Sequence, residues 1–277
     1  MRFASVRSPS GGFAVRLDGS VAVRLPFSDV GAMLAAGAEV AGGREVGVDE
    51  EIPAAGLDLA PVVPDPPRIF CVGLNYRAHI LEMKRELPQY PTLFAKFAAA
   101  LVGSGDEITL PRDSASVDWE AELAVVVGRA GRHLTEAEAV EAIAGYAVVN
   151  DVTARDFQNR TPQWLQGKTF EGTCPLGPVL VTPDEVDHAR DLEITCEVDG
   201  EVVQRARTSD LLFSPAALVS YVSRLLTLRP GDVVCTGTPG GVGAGMDPPR
   251  FLQDGCVVRT AIEGIGELVN VCVTETP

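Results

Sequence analysis

The chain has 277 residues, enough for a substantial core and more than one structural unit, and it carries a net charge of −15. Such a balance lacks the concentrated Lys/Arg surface that a phosphate backbone demands, which excludes nucleic acid as a partner. No uninterrupted apolar run approaches the ~20 residues of a membrane span, and no apolar signal core follows Met1, so membrane insertion is excluded too and a cytoplasmic location is expected.

The six cysteines are scattered without a C-x-x-C pair, mostly inside apolar runs, and read as buried thiols rather than a disulfide framework. Residues 1–62 read as a small module with no reactive constellation. In it, Phe13-Ala14-Val15-Arg16-Leu17 and Val21-Ala22-Val23-Arg24-Leu25 flank Asp18-Gly19-Ser20 as a hairpin. Ser28 is expected to cap a short Ala-rich helix that ends before Gly42-Gly43. Pro61, Pro64, Pro66 and Pro67 then mark the linker to a second unit, 63–277.

That unit opens with a strand, Ile69-Phe70-Cys71-Val72, and a helix over Ala78 to Leu87 stopped by Pro88. His79 and Glu82 lie three apart on one helical face, an arrangement that, taken alone, is more often a solvated surface than a catalytic dyad. Thr92 to Phe97 is a strand that sets Lys96 among apolar neighbours, either as an edge-strand charge or as a ligand for an anionic substrate.

Asp118-Trp119-Glu120-Ala121-Glu122 leads into the Val-rich strand that ends at Gly128. Alternation points Glu120 and Glu122 to the same side, where two buried like charges need a cation, a shared proton or strong donors. Thr135 and Glu138 form a capping box for a helix to about Ala144, and Gly145 to Asp151 is a second buried strand ending on a carboxylate. Ala154 to Gln166 is a polar loop or short helix near these carboxylates, and Gly167-Lys168-Thr169 follows.

The last third reads mostly as sheet. Asp199-Gly200 joins two strands in the strongest hairpin signal of the sequence, and Ser214-Pro215 opens an amphipathic helix to about Leu228. Strands are expected near 232–238, 256–262 and 267–274. Gly167-Lys168-Thr169 fails as a Walker loop because Pro162 stands where its first glycine belongs. Gly240-Gly241-Val242-Gly243-Ala244-Gly245 fails as a dinucleotide loop because Met246 replaces the third glycine, leaving a loop whose backbone approaches a small anion or a plain surface loop. His133 and His188 read as surface residues.

Taken together, Ile69 to Val273 resembles the fumarylacetoacetate hydrolase family, in its acylpyruvate hydrolase and 2-hydroxyhepta-2,4-diene-1,7-dioate isomerase-like branch. The resemblance rests on Gly73-Leu74-Asn75-Tyr76 with His79 and Glu82, Phe94-Ala95-Lys96, Glu120-x-Glu122, Asn150 to Asp156, Gly167-Lys168, Cys174 to Pro178, Gly231-Asp232 and Thr236 to Gly243, in the family's order. It implies an α+β, β-rich protein with a mixed β-sandwich-roll catalytic domain, usually a homodimer. It implies Mg²⁺, with Mn²⁺ or Ca²⁺ as alternatives, held by Glu120, Glu122 and Asp151. His79 and Glu82 match the dyad that activates water, and Lys168 matches the lysine facing the oxyanion. Tyr76, Lys96, Arg155, Gln158 and Thr238 match substrate-contact positions.

The implied activity is hydrolysis of a carbon–carbon bond in an acylpyruvate or fumarylpyruvate type of keto acid. Isomerisation or decarboxylation on the same metal, as for oxaloacetate, is the alternative. A non-catalytic protein that binds a metal–dicarboxylate complex is the alternative from another class. Substrate choice is expected to lie in Met83 to Tyr90 and Asn159 to Leu165.

Overall fold

Strands dominate because the apolar runs are short, rich in Val and Ile, and separated by turns bearing Gly, Pro or Asp. A computed structural model describes residues 1–37, 50–82, 84 and 86–276; Gly42-Gly43, Met83 and the side chain of Glu82 lie outside the described residues. In chain order the strands are β1 (Arg2–Val6), β2 (Phe13–Asp18), β3 (Val21–Arg24), β4 (Glu50–Pro53), β5 (Ile69–Gly73), β6 (Thr92–Lys96), β7 (Leu101–Val102), β8 (Ile108–Leu110), β9 (Val117–Asp118), β10 (Ala121–Val127), β11 (Ile143–Asn150), β12 (Thr153–Ala154), β13 (Cys174–Val181), β14 (Glu193–Val198), β15 (Glu201–Arg207), β16 (Val233–Cys235), β17 (Val257–Ile262) and β18 (Gly266–Thr274). The helices are α1 (Val30–Ala35), α2 (Arg77–Glu82), α3 (Glu136–Ala142), α4 (Arg155–Gln158), α5 (Leu165–Lys168) and α6 (Pro215–Leu225).

The large mixed sheet runs β4-β3-β2-β1-β13-β11-β10-β16-β5-β6, with β7 alongside β13. Most neighbours are antiparallel, while β5 with β16 and β7 with β13 are parallel. The strands of residues 1–62 join this sheet through β1, which pairs with β13. Because β7 follows β6 and returns to β13, the sheet rolls, and the end of β6 reaches the inside of the roll next to the end of β11. The architecture is therefore β-rich α+β with large mixed sheets and, among the described residues, no closed barrel.

β10 and β11 are buried on both faces, which is why they read as unbroken apolar runs. One face, with Leu123, Val125 and Val148, packs on Ile194, Cys196, Val258 and Leu268 of the second sheet, β15-β14-β17-β18-β8. The other, with Ala124, Val126 and Val149, packs inside the roll against Val30, Met33 and Leu34 of α1 and against Val62 and Val63. The proline-dense segment is thus part of the core, and Val62 N–H donates to Leu176 O at 3.0 Å.

Several local expectations hold. Asp199 and Gly200 take φ of 54° and 81° in the β14–β15 hairpin, Thr135 and Glu138 form a reciprocal capping box, and Ser214 caps α6 with Pro215 in its first turn. All six cysteines are free, with Cys256 half-buried and the others buried. Among the described residues no helix is long and apolar enough to cross a membrane.

Other expectations are corrected. Asp29, not Ser28, caps α1: its Oδ1 accepts from Ala32 N–H at 2.8 Å, and Ser28 Oγ donates to the same carboxylate at 2.8 Å. An ionised acceptor outcompetes a hydroxyl for the exposed N–H. α2 closes at Glu82, ahead of Pro88, and Lys84 already has φ of 55°. α3 stops at Ala142 because Ile143 enters β11, and α6 stops at Leu225 because Leu226 is extended at φ −154°.

The fold reaches the carboxylates through Asn150, which is fully buried. Its Oδ1 accepts from Glu120 N–H at 2.9 Å and its Nδ2 donates to Thr260 Oγ1 at 2.9 Å, tying the start of β10 to the second sheet. Asn150→Ala leaves the Glu120 N–H buried without that acceptor, so urea unfolding is expected to show a loss of about 2–3 kcal/mol. A loss within a few tenths would show that this link does not hold the two sheets together.

Candidate active site

The carboxylates are placed by register. Ala121 lies opposite Asn150 in the β10–β11 ladder, and Asp151 N–H donates to Glu120 O at 2.8 Å, so Glu120 and Asp151 sit side by side just beyond the ladder. Glu122, two residues on, points to the same side as Glu120. One oxygen from each of Glu120, Glu122 and Asp151 lies within 4.8 Å of the other two, and all three residues are buried.

Three cations answer this charge. Lys168 Nζ donates to Glu120 Oε2 at 2.7 Å and to Asp151 Oδ2 at 2.8 Å. Lys96 Nζ donates to Asp151 Oδ1 at 2.7 Å and to Val152 O at 3.2 Å. The Arg155 guanidinium lies 2.6 Å from Glu120 Oε1 and 2.8 Å from Asp118 Oδ2. Burial alone would raise the Asp151 carboxyl, but Lys168 and Lys96 outweigh it and hold it below its ordinary value. Burial would lower Lys168, and Asp151 with Glu120 outweigh that and raise it, so the lysine is an ammonium.

Glu122 is the exception. Its Oε2 accepts from Gly237 N–H at 2.7 Å, but among the described residues no ammonium or guanidinium pairs with it, and burial beside Asp151 and Glu120 pushes its carboxyl well above the usual range. Four carboxyl groups, Asp118 included, meet three cations here, so full ionisation would leave one negative charge unmatched at Glu122. A site of oxygen donors with surplus negative charge fits a hard divalent cation such as Mg²⁺, Mn²⁺ or Ca²⁺.

Glu120 and Glu122 line a cavity of ≈ 670 Å³ that also receives His79 from α2, Gln158 and Arg155 from α4, Lys168 from α5, and Thr238, while Asp151 stands behind them, outside the lining. Lys168 is positioned by close packing, because a Cβ on Gly167 would lie 2.5 Å from Ala154 O. Two expected substrate contacts stand elsewhere. Lys96 is 2% exposed and serves as the buried partner of Asp151, neither an edge charge nor part of the cavity lining. Tyr76 is 1% exposed beside Leu211, also outside the lining, and its hydroxyl has no hydrogen-bond partner among the described residues. The Glu82 side chain lies outside the described residues.

Sequence reasoning missed Asp118. Its Oδ1 accepts from Trp119 N–H and Gly243 N–H at 2.8 and 2.7 Å, and its Oδ2 from Ala244 N–H at 3.0 Å as well as from Arg155. Trp119 Nε1 donates to Gly241 O at 3.0 Å, so the glycine-rich loop that lines the cavity is pinned by the residues just before Glu120. Gln204 completes the frame, accepting from Ala121 N–H at 2.9 Å and donating to Thr238 Oγ1 at 2.8 Å. Only the proximity of Asp118 to the Glu pair signalled it; Gln204 lies in a hairpin strand with no sequence cue.

The family described as fumarylacetoacetate (FAA) hydrolase C-terminal matches residues 68–273. Oxaloacetate tautomerase FAHD2A, mitochondrial, of Homo sapiens is 47% identical over 217 residues, covering 78% of this chain and 69% of that protein. A fumarylacetoacetate hydrolase from psychrophilic Exiguobacterium antarcticum is 34% identical with a TM-score of 0.89, covering 99% of this chain and 100% of that one. Maleylpyruvate hydrolase from Sphingobium sp. SYK-6, in complex with manganese (II) ion and pyruvate, is 26% identical with a TM-score of 0.82, covering 100% of both chains.

Because folding raises the Glu122 carboxyl, its ionised form opposes folding once the pH exceeds the unfolded value, and the penalty vanishes as the pH falls below it. Glu122→Gln is therefore expected to raise the melting temperature of metal-free protein at pH 8 and to leave it nearly unchanged near pH 4. The same substitution is expected to weaken Mn²⁺ binding, measured by calorimetry, by more than the ~10–100-fold typical of losing an outer-shell partner. Unchanged Mn²⁺ affinity would remove Glu122 from the metal site.

Proposed function

The chain belongs to the fumarylacetoacetate hydrolase family, and on that premise we propose that it is an enzyme interconverting the keto and enol forms of a 2-oxo acid at a divalent metal site. The observation that carries this reading is the buried cluster of Glu120, Glu122 and Asp151 with Lys168 donating to two of its members. A cation held by the three carboxylates would supply Lewis-acid polarisation of the carbonyl and carboxylate of a bound 2-oxo acid.

The chain's own groups handle the proton. Lys168, kept protonated by Asp151 and Glu120, donates from a buried position towards the C2 oxygen as negative charge builds there. His79 enters the cavity from α2 and moves the proton to and from C3. Arg155, gripped by Asp118 and Glu120, holds Gln158 Oε1 at 3.0 Å and so orients the polar side of the cavity. Each cycle breaks one C3–H bond and forms one O–H bond, with no net loss or gain of atoms.

The activity for which the Homo sapiens relative is named, oxaloacetate tautomerase, needs only this chemistry. Hydrolysis of a carbon–carbon bond is the second reading. It is favoured by His79 in the cavity, where with Glu82 it would activate water, and by likeness to the fumarylacetoacetate hydrolase and the maleylpyruvate hydrolase above.

Purified protein supplied with Mn²⁺ or Mg²⁺ is expected to speed the enol-to-keto conversion of oxaloacetate, followed by loss of enol absorbance, and a chelator is expected to stop it. Lys168→Met is expected to lower kcat by about a hundredfold or more. Retention of full activity in this variant would remove Lys168 from the mechanism. His79→Ala separates the two readings: loss of tautomerisation assigns the C3 proton to His79, whereas loss confined to cleavage of an acylpyruvate assigns His79 to water and favours hydrolysis.

A further inference from the structure

Beside the charged groups, the cavity is lined by aromatic and aliphatic side chains that the keto–enol chemistry does not use. Trp164 stands at the start of α5 and Phe94 on β6, both half-exposed, with ring centroids 5.4 Å apart and planes at 68°. The indole sits directly against the end of β5: a Cβ added to Gly73 would lie 2.4 Å from Trp164 Cζ3, so only glycine leaves room for it. Phe94 also bridges to the chemistry, its ring centroid lying 4.9 Å from Lys168 Nζ. Leu74, Val242 and Met246 extend the apolar surface.

Charge points the same way. The two strong cations that line the cavity, Arg155 and Lys168, are already matched by Asp118, Glu120 and Asp151. Among the described residues, a second carboxylate on the substrate would therefore meet no lysine or arginine of the lining that is not already paired, and would lie against Trp164 and Phe94. The volume of ≈ 670 Å³ is also far larger than a four-carbon acid requires and lies in the range that encloses drug-sized ligands.

We infer that Trp164 and Phe94 form a tail pocket selecting 2-oxo monocarboxylic acids with a planar apolar substituent at C4, such as an aryl 2,4-dioxobutanoate, over a dicarboxylate such as oxaloacetate. The inference rests on the 2-oxo acid reading above and adds the class of the substrate's far end. Proton movement is unchanged, since C3 lies between two carbonyls and loses its proton to give the same kind of enolate. An aryl tail meets the indole and phenyl rings edge or face, contacts that a carboxylate cannot make.

The test is calorimetric titration of Mn²⁺-loaded protein with 4-phenyl-2,4-dioxobutanoate, 2,4-dioxopentanoate and oxaloacetate, with keto–enol rates measured in parallel. The phenyl acid is expected to bind about tenfold or more tighter than oxaloacetate, with the methyl acid between them. Trp164→Ala and Phe94→Leu, each checked for folding by thermal melting, are expected to shrink that ratio by a further fold-change of about five or more. Oxaloacetate binding as tightly as the phenyl acid overturns the proposal, as does a ratio unmoved in both variants. Absence of Mn²⁺-dependent turnover on all three acids, with the binding order intact, overturns the enolisation reading and leaves the tail pocket supported.

Discussion

The structure turns on the repulsion among three carboxylates held within 4.8 Å of one another out of contact with bulk water. Left alone, such a group would take up protons or unfold the strand ends that carry it. Lys168 and Lys96 remove most of the problem for Asp151, and Lys168 with Arg155 for Glu120, each through ion pairs of 2.6–2.8 Å. Those cations come from β6, α4 and α5, so the roll of the sheet and the two short helices are needed to deliver them. Glu122 alone lacks a cationic partner among the described residues, and this asymmetry leaves the cluster short of a completed salt-bridge network.

Positioning of this quality depends on groups that touch no substrate. Asn150, Gln204 and Asp118 are buried, and each satisfies backbone N–H groups at the entry to β10 or in the loop from Gly241 to Ala244. Buried polar side chains with full sets of partners are costly to move, which fixes backbone positions more tightly than apolar packing does. The carboxylates therefore inherit their geometry from hydrogen bonds made one layer farther out.

What was legible in the sequence was what short-range patterns encode. The Val-rich run after Glu122, the Asp199-Gly200 turn, the Thr135 and Glu138 box and the Ser214-Pro215 start each depend on neighbours within a few residues, and each appears as read. The Glu120, Glu122 and Asp151 grouping was legible because strand alternation and two successive strands ending at the same level suffice to bring them together. The burial of Lys96 against Asp151 was not legible because it depends on the roll of an eleven-stranded sheet, a property of topology that no local pattern carries. Asp29 displaced Ser28 at the first helix because the two caps differ by one residue, a distance at which charge decides and hydrophobic periodicity is silent.

The aromatic wall and the carboxylate cluster belong to different kinds of structure. The carboxylates are anchored to the ladder between β10 and β11, where a shift of one residue would turn every side chain over. Trp164 lies between α4 and α5, outside any strand pairing, and rests on β5 through the single bare position at Gly73. Residues of the second kind can be exchanged without re-registering the sheet. A lineage with this architecture is accordingly free to drift from one acid to another by changing the wall while its reaction centre stays where it is, a division of labour that lets one scaffold diversify without reinventing its chemistry.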